Sequence, residues 1–264
     1  MKKIFFLDID GTIIDGSRNM FDVSEKTKYA INELVKDNYV VISSGRCRGL
    51  LDENILNLNN NGYILCNGSY AEIENKELYS LFFEDDVVEK IKEVSIRNNG
   101  FYILETLDGF FVNDLENKAF KAFISGWGKA LPNFKYENID ADKYYIAMIG
   151  FDNYEDSLKA NEELKDICSV DRHNNSNSFD INIKNVNKGT GVTKLREYLN
   201  IPIENTYAFG DGINDLQMLQ AVGNPVIMKN ANPELKKYNF YETDDVLDDG
   251  VYNYLLSNKL IKAI

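Results

Sequence analysis

Histidine is almost missing from this 264-residue chain, which contains one, His173. A Ser-His-Asp triad or a histidine proton relay is thereby nearly excluded, and catalytic chemistry falls to carboxylates and lysine. His173 lies in the polar stretch "DRHNNSNS" (171–178) and reads as a solvent-exposed loop residue. Cysteine is scarce too. Cys47, Cys66 and Cys168 are odd in number and show no Cys-x-x-Cys spacing. That argues against a disulfide framework and a zinc site, and it fits a reducing compartment. No apolar run approaches the roughly 20 residues that cross a bilayer. The opening "MKKIFFLDID" holds acids within its apolar stretch and lacks a small-residue cleavage site. It reads as a strand, not a secretory signal, and a cytoplasmic location is expected. Positive charge is outweighed, with 29 Lys and Arg against 42 Asp and Glu, a net −13. Such a surface repels nucleic acid and anionic membrane, so neither is an expected partner. A small anion stays possible, because a metal and a few local cations reverse the sign inside one pocket.

What the chain does have is alternation. "KIFFLD" (3–8), "YVVISS" (39–44) and "YILCNG" (63–68) are short buried-strand runs. Between the first two, "SEKTKYAINELVKDN" (24–38) places Ala30, Ile31, Leu34 and Val35 at helical spacing behind the N-cap candidate Ser24. Strands separated by helices predict βαβ units and a parallel sheet covered on both faces. The last third repeats the pattern: helix at 188–200, strand and turn "TYAFGDG" (206–212), helix at 214–222, the short strand "PVIM" and a terminal helix. The middle differs. Aromatic-rich runs such as "GFYILETL", "DGFFVND", "KYYIAMIGF" and "SFDINIK" alternate with two helical segments, and "LDG" (107–109) reads as a hairpin turn. The expected architecture is an α/β, Rossmann-like parallel-sheet core, residues 1–81 and 184–264, with an inserted α+β cap at 82–183. No internal repeat or Gly/Ser/Pro-rich linker interrupts it.

Four segments carry candidate chemistry. In "FFLDIDGTII" (5–14), Asp8 and Asp10 lie two apart on a strand end, so their side chains leave on one side, and Gly11 permits a sharp turn. Alone, Asp-x-Asp-Gly reads equally well as a polar turn closing a strand. A calcium loop is excluded, because positions 5 and 6 counted from Asp8 are Thr12 and Ile13. "SSGR" (43–46) offers a hydroxyl and a Gly turn with free backbone N–H groups, making Ser44 and Gly45 a candidate anion site beside the simpler reading as a turn. Lys188 opens a helix, where a cation opposes the helix dipole and so calls for another reason. "FGDGINDLQML" places Asp211, Asn214 and Asp215 at a second strand end. Two strand ends rich in oxygen donors, with room for water, suit Mg²⁺ better than zinc or a closed calcium cage.

These segments, in this order, resemble the haloacid dehalogenase superfamily of phosphohydrolases, and within it the Cof-like phosphatases. The likeness runs from "LDIDGTI" through "VISSGR" and "VNKGTGV" to "FGDGINDLQML". It implies that Asp8 is a nucleophile forming an aspartyl-phosphate, and that Asp10 is the general acid and then the base. It implies that Ser44, Gly45 and Asn214 contact the phosphoryl group and that Lys188 neutralises its charge. Mg²⁺ would be held by Asp8, the Asp10 carbonyl and Asp211, with Asp215 completing or orienting the site. The implied partner is a small phosphorylated metabolite, a sugar phosphate foremost. A phosphosugar mutase and a non-catalytic phosphometabolite sensor are the alternatives. The chain departs from the family pattern at Ser44, often Thr there, and at Lys229, where Gly is usual; exposure of Lys229 is expected.

Overall fold

A computed structural model describes residues 2–127, 143–173 and 177–264; of the polar stretch 171–178, residues 174–176 lie outside the described residues. The chain divides into two compact units, residues 1–45, 52–80 and 187–264 in the first and residues 46–51 and 81–186 in the second. In chain order the first unit begins β1 (Ile4–Leu7), α1 (Glu25–Leu34), β2 (Tyr39–Ser43), α2 (Glu53–Leu56), β3 (Gly62–Leu65), β4 (Tyr70–Ile73) and β5 (Lys76–Ser80). The second unit holds α3 (Asp85–Arg97), β6 (Phe101–Glu105), β7 (Phe110–Val112), α4 (Lys118–Trp127), β8 (Ile146–Gly150), α5 (Tyr154–Leu164), β9 (Cys168–Arg172) and β10 (Ser178–Ile183). The chain then returns with α6 (Lys188–Tyr198), β11 (Thr206–Gly210), α7 (Leu216–Gln220), β12 (Asn224–Ile227), β13 (Tyr241–Glu242) and α8 (Gly250–Ser257).

The first unit's sheet runs β13-β12-β11-β1-β2-β3-β4-β5, parallel from β13 to β3. Every residue of β1 and β11 is buried, which is why their sequences are continuous apolar runs without alternation. One face packs Ile4, Phe6, Val41, Ile64 and Ala208 against Val192 and Leu195 of α6 and Met218 and Leu219 of α7. On the other, Phe5 stacks on Tyr207, and Phe209 meets Tyr254 of α8 edge-on. Each large apolar side chain so enclosed contributes roughly 1.5–3 kcal/mol. β4 and β5 add an antiparallel hairpin that the sequence reading leaves unassigned. Its turn is Glu74-Asn75, both at positive φ (51° and 61°), a mirror-image turn geometry usually signalled by Asn-Gly.

The second unit is a five-stranded sheet in the order β7-β6-β8-β10-β9 with every pairing antiparallel. Residues 107–109 do form the β6–β7 turn, with the Thr106 N–H donating to the Gly109 carbonyl at 2.7 Å. Val88, Ile91 and Val94 of α3 and Ala160 and Leu164 of α5 pack on one face, over Tyr102, Leu104, Ala147, Ile149, Phe179 and Ile181. Phe120 of α4 joins Phe101, Ile103, Phe110 and Met148 on the opposite side. Residues 46–51 cluster here as well, through the Gly49 N–H on the Leu107 carbonyl at 2.9 Å and Leu50 against the second apolar cluster. His173 is half-buried and hydrogen-bonded, not exposed. Its Nδ1 lies 2.8 Å from Ser178 Oγ and its Nε2 3.0 Å from Asp180 Oδ1. Burial pulls the imidazole pKa down, but Asp180 outweighs that and holds it above its ordinary value. The three cysteines are buried and none is in a disulfide. Among the described residues no helix is long and apolar enough to cross a membrane.

Gly68 locks β3 to the start of α6. Its φ is +95°, and a Cβ there would lie 2.0 Å from the Asn187 carbonyl oxygen. Gly68→Ala therefore combines backbone strain with a collision against fixed backbone. It should cost about 2–4 kcal/mol, measured as a lower denaturant midpoint at unchanged slope. A midpoint equal to wild type would show that the two segments separate freely.

Candidate active site

Parallel strands deliver their carboxyl ends to one edge of a sheet, and open α/β sheets bind ligands outside that edge. Here β1 lies between β11 and β2, with Leu7 beside both Phe209 and Ile42. Asp8 thus follows one strand where Ser44 and Asp211 follow its two neighbours. The Asp8 N–H donates to the Phe209 carbonyl at 3.0 Å, continuing the ladder one residue further. Asp8 is buried, whereas Asp10 beyond it is exposed. Between them and Ile14 the chain reverses through Gly11, at φ +80°. A Cβ on Gly11 would stand 2.1 Å from Asp211 Oδ2, so this position needs glycine for its backbone and for its neighbour.

Lys188 explains itself here. It opens α6 behind the N-cap Asn187, whose side chain accepts from the Thr190 N–H while Thr190 Oγ1 accepts from the Asn187 N–H. The Lys188 side chain is buried, and its Nζ lies 2.6 Å from Asp8 Oδ1 and 2.6 Å from Asp215 Oδ1. Asp215 is wholly buried, and its other oxygen accepts the Asp211 and Gly212 N–H groups, both at 2.9 Å. It therefore holds the lysine with one oxygen and the turn carrying Asp211 with the other. Carboxylate oxygens of Asp8, Asp211 and Asp215 all lie within 4.8 Å of one another.

Three acids against one ammonium leave the cluster short of positive charge. Burial pushes the Asp8 carboxyl well above its ordinary pKa, with Asp215 adding to the shift and Lys188 opposing it. Asp211 is pushed up to about 7, by burial first and then by Asp215. For Lys188 burial works downward, but Asp215 and Asp8 more than offset it and keep the ammonium above its ordinary value. An all-oxygen donor set with surplus acid fits a hard divalent cation.

The remaining sequence candidates fall around this cluster. Ser44 is buried, and its N–H donates to the Ile64 carbonyl at 2.8 Å. A Cβ on Gly45 would come within 2.9 Å of Asn67 Oδ1. Asn214 is exposed and donates to Asn67 Oδ1 at 3.4 Å. Lys229 is exposed, as expected. Two residues escaped the sequence reading. Asn230 donates to the Gly11 carbonyl at 2.8 Å and accepts the Val246 N–H at 3.1 Å, tying the first turn to the loop after β12. Asn67, read as the tail of a strand, occupies a left-handed turn with φ 50° and ψ 33°. The only sequence signal for it was Asn-Gly behind an apolar run.

A family model described as haloacid dehalogenase-like hydrolase matches residues 5–255. The chain belongs to the haloacid dehalogenase-like hydrolases. It is 28% identical over 250 residues to YkrA of Bacillus subtilis, covering 94% of this chain and 95% of YkrA. It is 27% identical over 260 residues to the 5-amino-6-(5-phospho-D-ribitylamino)uracil phosphatase YcsE of the same organism, covering 94% and 92%. BT1666 from Bacteroides thetaiotaomicron, a member of the same superfamily, shares the fold with a TM-score of 0.83 at 24% identity, covering 99% of this chain and 96% of BT1666.

In this hydrolase the Lys188 ammonium pairs with both Asp8 and Asp215. Lys188→Met should lower stability by about 3–5 kcal/mol in metal-free buffer, the usual cost of stranding buried charge. Chemical denaturation measures it. Stability equal to wild type would mean that the carboxylates are not held charged.

Proposed function

We propose that this chain, a phosphoric monoester hydrolase by its family and relatives, is a Mg²⁺-dependent phosphatase of small phosphorylated metabolites, sugar phosphates foremost. The observation that carries the reading is Lys188 Nζ held between Asp8 and Asp215, with Asp211 at the third corner. The YcsE substrate, a phosphate ester of a ribityl chain, supports the substrate class. The second unit, in this reading, selects the substrate, since Asp8, Asp10, Ser44, Lys188, Asp211, Asn214 and Asp215 all belong to the first. Three buried cysteines outside any disulfide support a cytoplasmic setting.

Asp8 and Asp211, with the Asp10 carbonyl, would hold Mg²⁺, which supplies charge neutralisation for the phosphoryl oxygens and favours the ionised form of Asp8. The chain's own residues do the rest. An Asp8 carboxylate oxygen attacks phosphorus, and the new O–P bond forms as the ester P–O bond breaks. The Asp10 carboxyl gives its proton to the departing alkoxide. Lys188 holds Asp8 in place and offsets negative charge on the transferring group, while Ser44, Gly45 and Asn214 hold its oxygens. In the second step Asp10 takes a proton from water, which attacks phosphorus, releases phosphate and restores Asp8.

Asp8→Asn should abolish phosphate release while the chain stays folded, because the amide is nearly isosteric and Lys188 keeps Asp215 as a partner. Release from p-nitrophenyl phosphate with matched thermal denaturation is the check; wild-type turnover by the folded variant would remove the nucleophile assignment. Metal removal should likewise stop turnover, and added Mg²⁺ restore it.

Asp10 is tested by leaving group. General acid help is worth about 10²–10⁴-fold where the leaving group needs a proton. Asp10→Asn should therefore slow the first-turnover burst from a sugar phosphate far more than from nitrophenyl phosphate. Equal losses on both substrates would mean that Asp10 positions the site without moving a proton.

A further inference from the structure

Cys66, Asn67 and Gly68 form three consecutive left-handed residues, at φ 53°, 50° and 95°. Gly adopts this region freely and Asn tolerates it, but for Cys66, which carries a Cβ, it is strained. The surroundings impose the turn. The Asn67 N–H donates to the Ser44 carbonyl at 3.2 Å, the Ser69 N–H to the Cys66 carbonyl at 3.1 Å, and Tyr79 Oη to the Gly68 carbonyl at 2.8 Å. On its far side Gly68 lies against Asn187 and the Lys188 nitrogen, too closely for any Cβ. The strained turn is thus wedged between the residue before Gly45 and the residue that caps the helix of Lys188.

Its half-buried side chain spans two segments of the proposed phosphoryl site. Asn67 Oδ1 lies 2.9 Å from the point where a Gly45 Cβ would stand, so a side chain at position 45 would displace the carboxamide. The same oxygen accepts from Asn214 Nδ2 at 3.4 Å. A primary amide nitrogen has two N–H donors. With one of them turned to Asn67, Asn214 is biased toward the orientation that leaves its second donor for an anion.

Resting on the phosphatase reading above, we propose that Asn67, seated against the Gly45 turn, is a positioning residue for phosphoryl recognition that acts by orienting Asn214. Asparagine suits both demands, because it tolerates positive φ and carries the neutral acceptor that Asn214 requires. An aspartate would meet the first demand and place a negative charge beside the incoming anion.

The test uses the full chain with Mg²⁺ and inorganic phosphate as the probe, its dissociation constant measured by calorimetry for wild type, Asn67→Gly, Asn214→Ala and the double variant. Glycine keeps the left-handed backbone, so Asn67→Gly removes the carboxamide without straining the turn. Loss of the orienting contact should weaken phosphate binding roughly tenfold, the scale of one hydrogen bond to a charged group. The double variant should bind within about twofold of Asn214→Ala alone, the non-additivity expected when one residue acts through the other. Asn67→Asp should bind more weakly than Asn67→Gly. Three results would each overturn the inference: wild-type affinity in Asn67→Gly, effects that multiply in the double variant, or wild-type affinity in Asn67→Asp. A purely structural role would lower the melting temperature of Asn67→Gly and leave the dissociation constant unmoved. If wild type binds no phosphate and releases none from nitrophenyl phosphate, the phosphatase reading and this inference fall together. If wild type does both and Asn67→Gly matches it, this inference falls alone.

Discussion

The contact on which the rest of the structure depends is the Lys188 ammonium between Asp8 and Asp215, 2.6 Å from each and shut away from solvent. Removing such charges from water costs several kcal/mol per ion, and only close pairing with further hydrogen bonds offsets it. The fold meets that demand from three directions. β1 delivers Asp8, the capped start of α6 delivers Lys188, and the turn after β11 folds back so that two of its own N–H groups satisfy Asp215. A hydrophobic trio would serve stability as well or better. A buried lysine facing an excess of acid is therefore better understood as a cost borne for chemistry, and the acid surplus suits a bound cation.

The same constraint explains the turns around the cluster. Side chains that meet within a few ångströms leave no space for the backbones that carry them, so glycine appears where backbone and carboxylate touch. Gly11 against Asp211 is the sharpest case. Asn230 then clamps the Gly11 carbonyl, and the Asn232 N–H clamps that of Asp211 at 2.8 Å. Strain is concentrated at Cys66–Gly68, where backbone geometry gives way so that β3 can end beside Ser44 and the helix of Lys188. The fully buried parallel strands behind these turns provide the rigidity that keeps them in place.

Much of this was legible in the order of residues. Buried parallel strands must be apolar throughout, so β1, β2 and β11 announce themselves, and α1 shows its helical stripe and its Ser24 cap, whose Oγ accepts the Thr27 N–H at 3.1 Å. The carboxylate-rich segments stand at strand ends because a charged side chain is costly within such strands. The Leu107–Gly109 turn was visible for the same local reason. The β4–β5 hairpin was not, since Glu-Asn is a weak turn signal and no residue of β5 is fully buried. His173 looked like a loop residue because its partners, Ser178 and Asp180, are supplied by the return of β10 beside β9.

What the sequence by itself determined, then, was the kind of chemistry: a chain nearly without histidine, its carboxylates grouped behind apolar strands, and one lysine set where a helix dipole disfavours it. Those are consequences of composition and local spacing. The tertiary structure alone decided which oxygen faces which cation. Asp8 and Lys188 are 180 residues apart, and Asn67 and Asn214 are 147 apart. Contacts of that range depend on sheet order and helix register. Only when β1 lies between β11 and β2 does Lys188 meet two carboxylates at once, and only when Gly68, beyond the end of β3, lies against Asn187 does Asn67 reach Asn214. Whether residues 46–51 join the first unit or the second is decided in the same way, by Gly49 and Leu50 against distant partners. No local pattern encodes such meetings, because each is a property of two segments that approach one another only after both have folded.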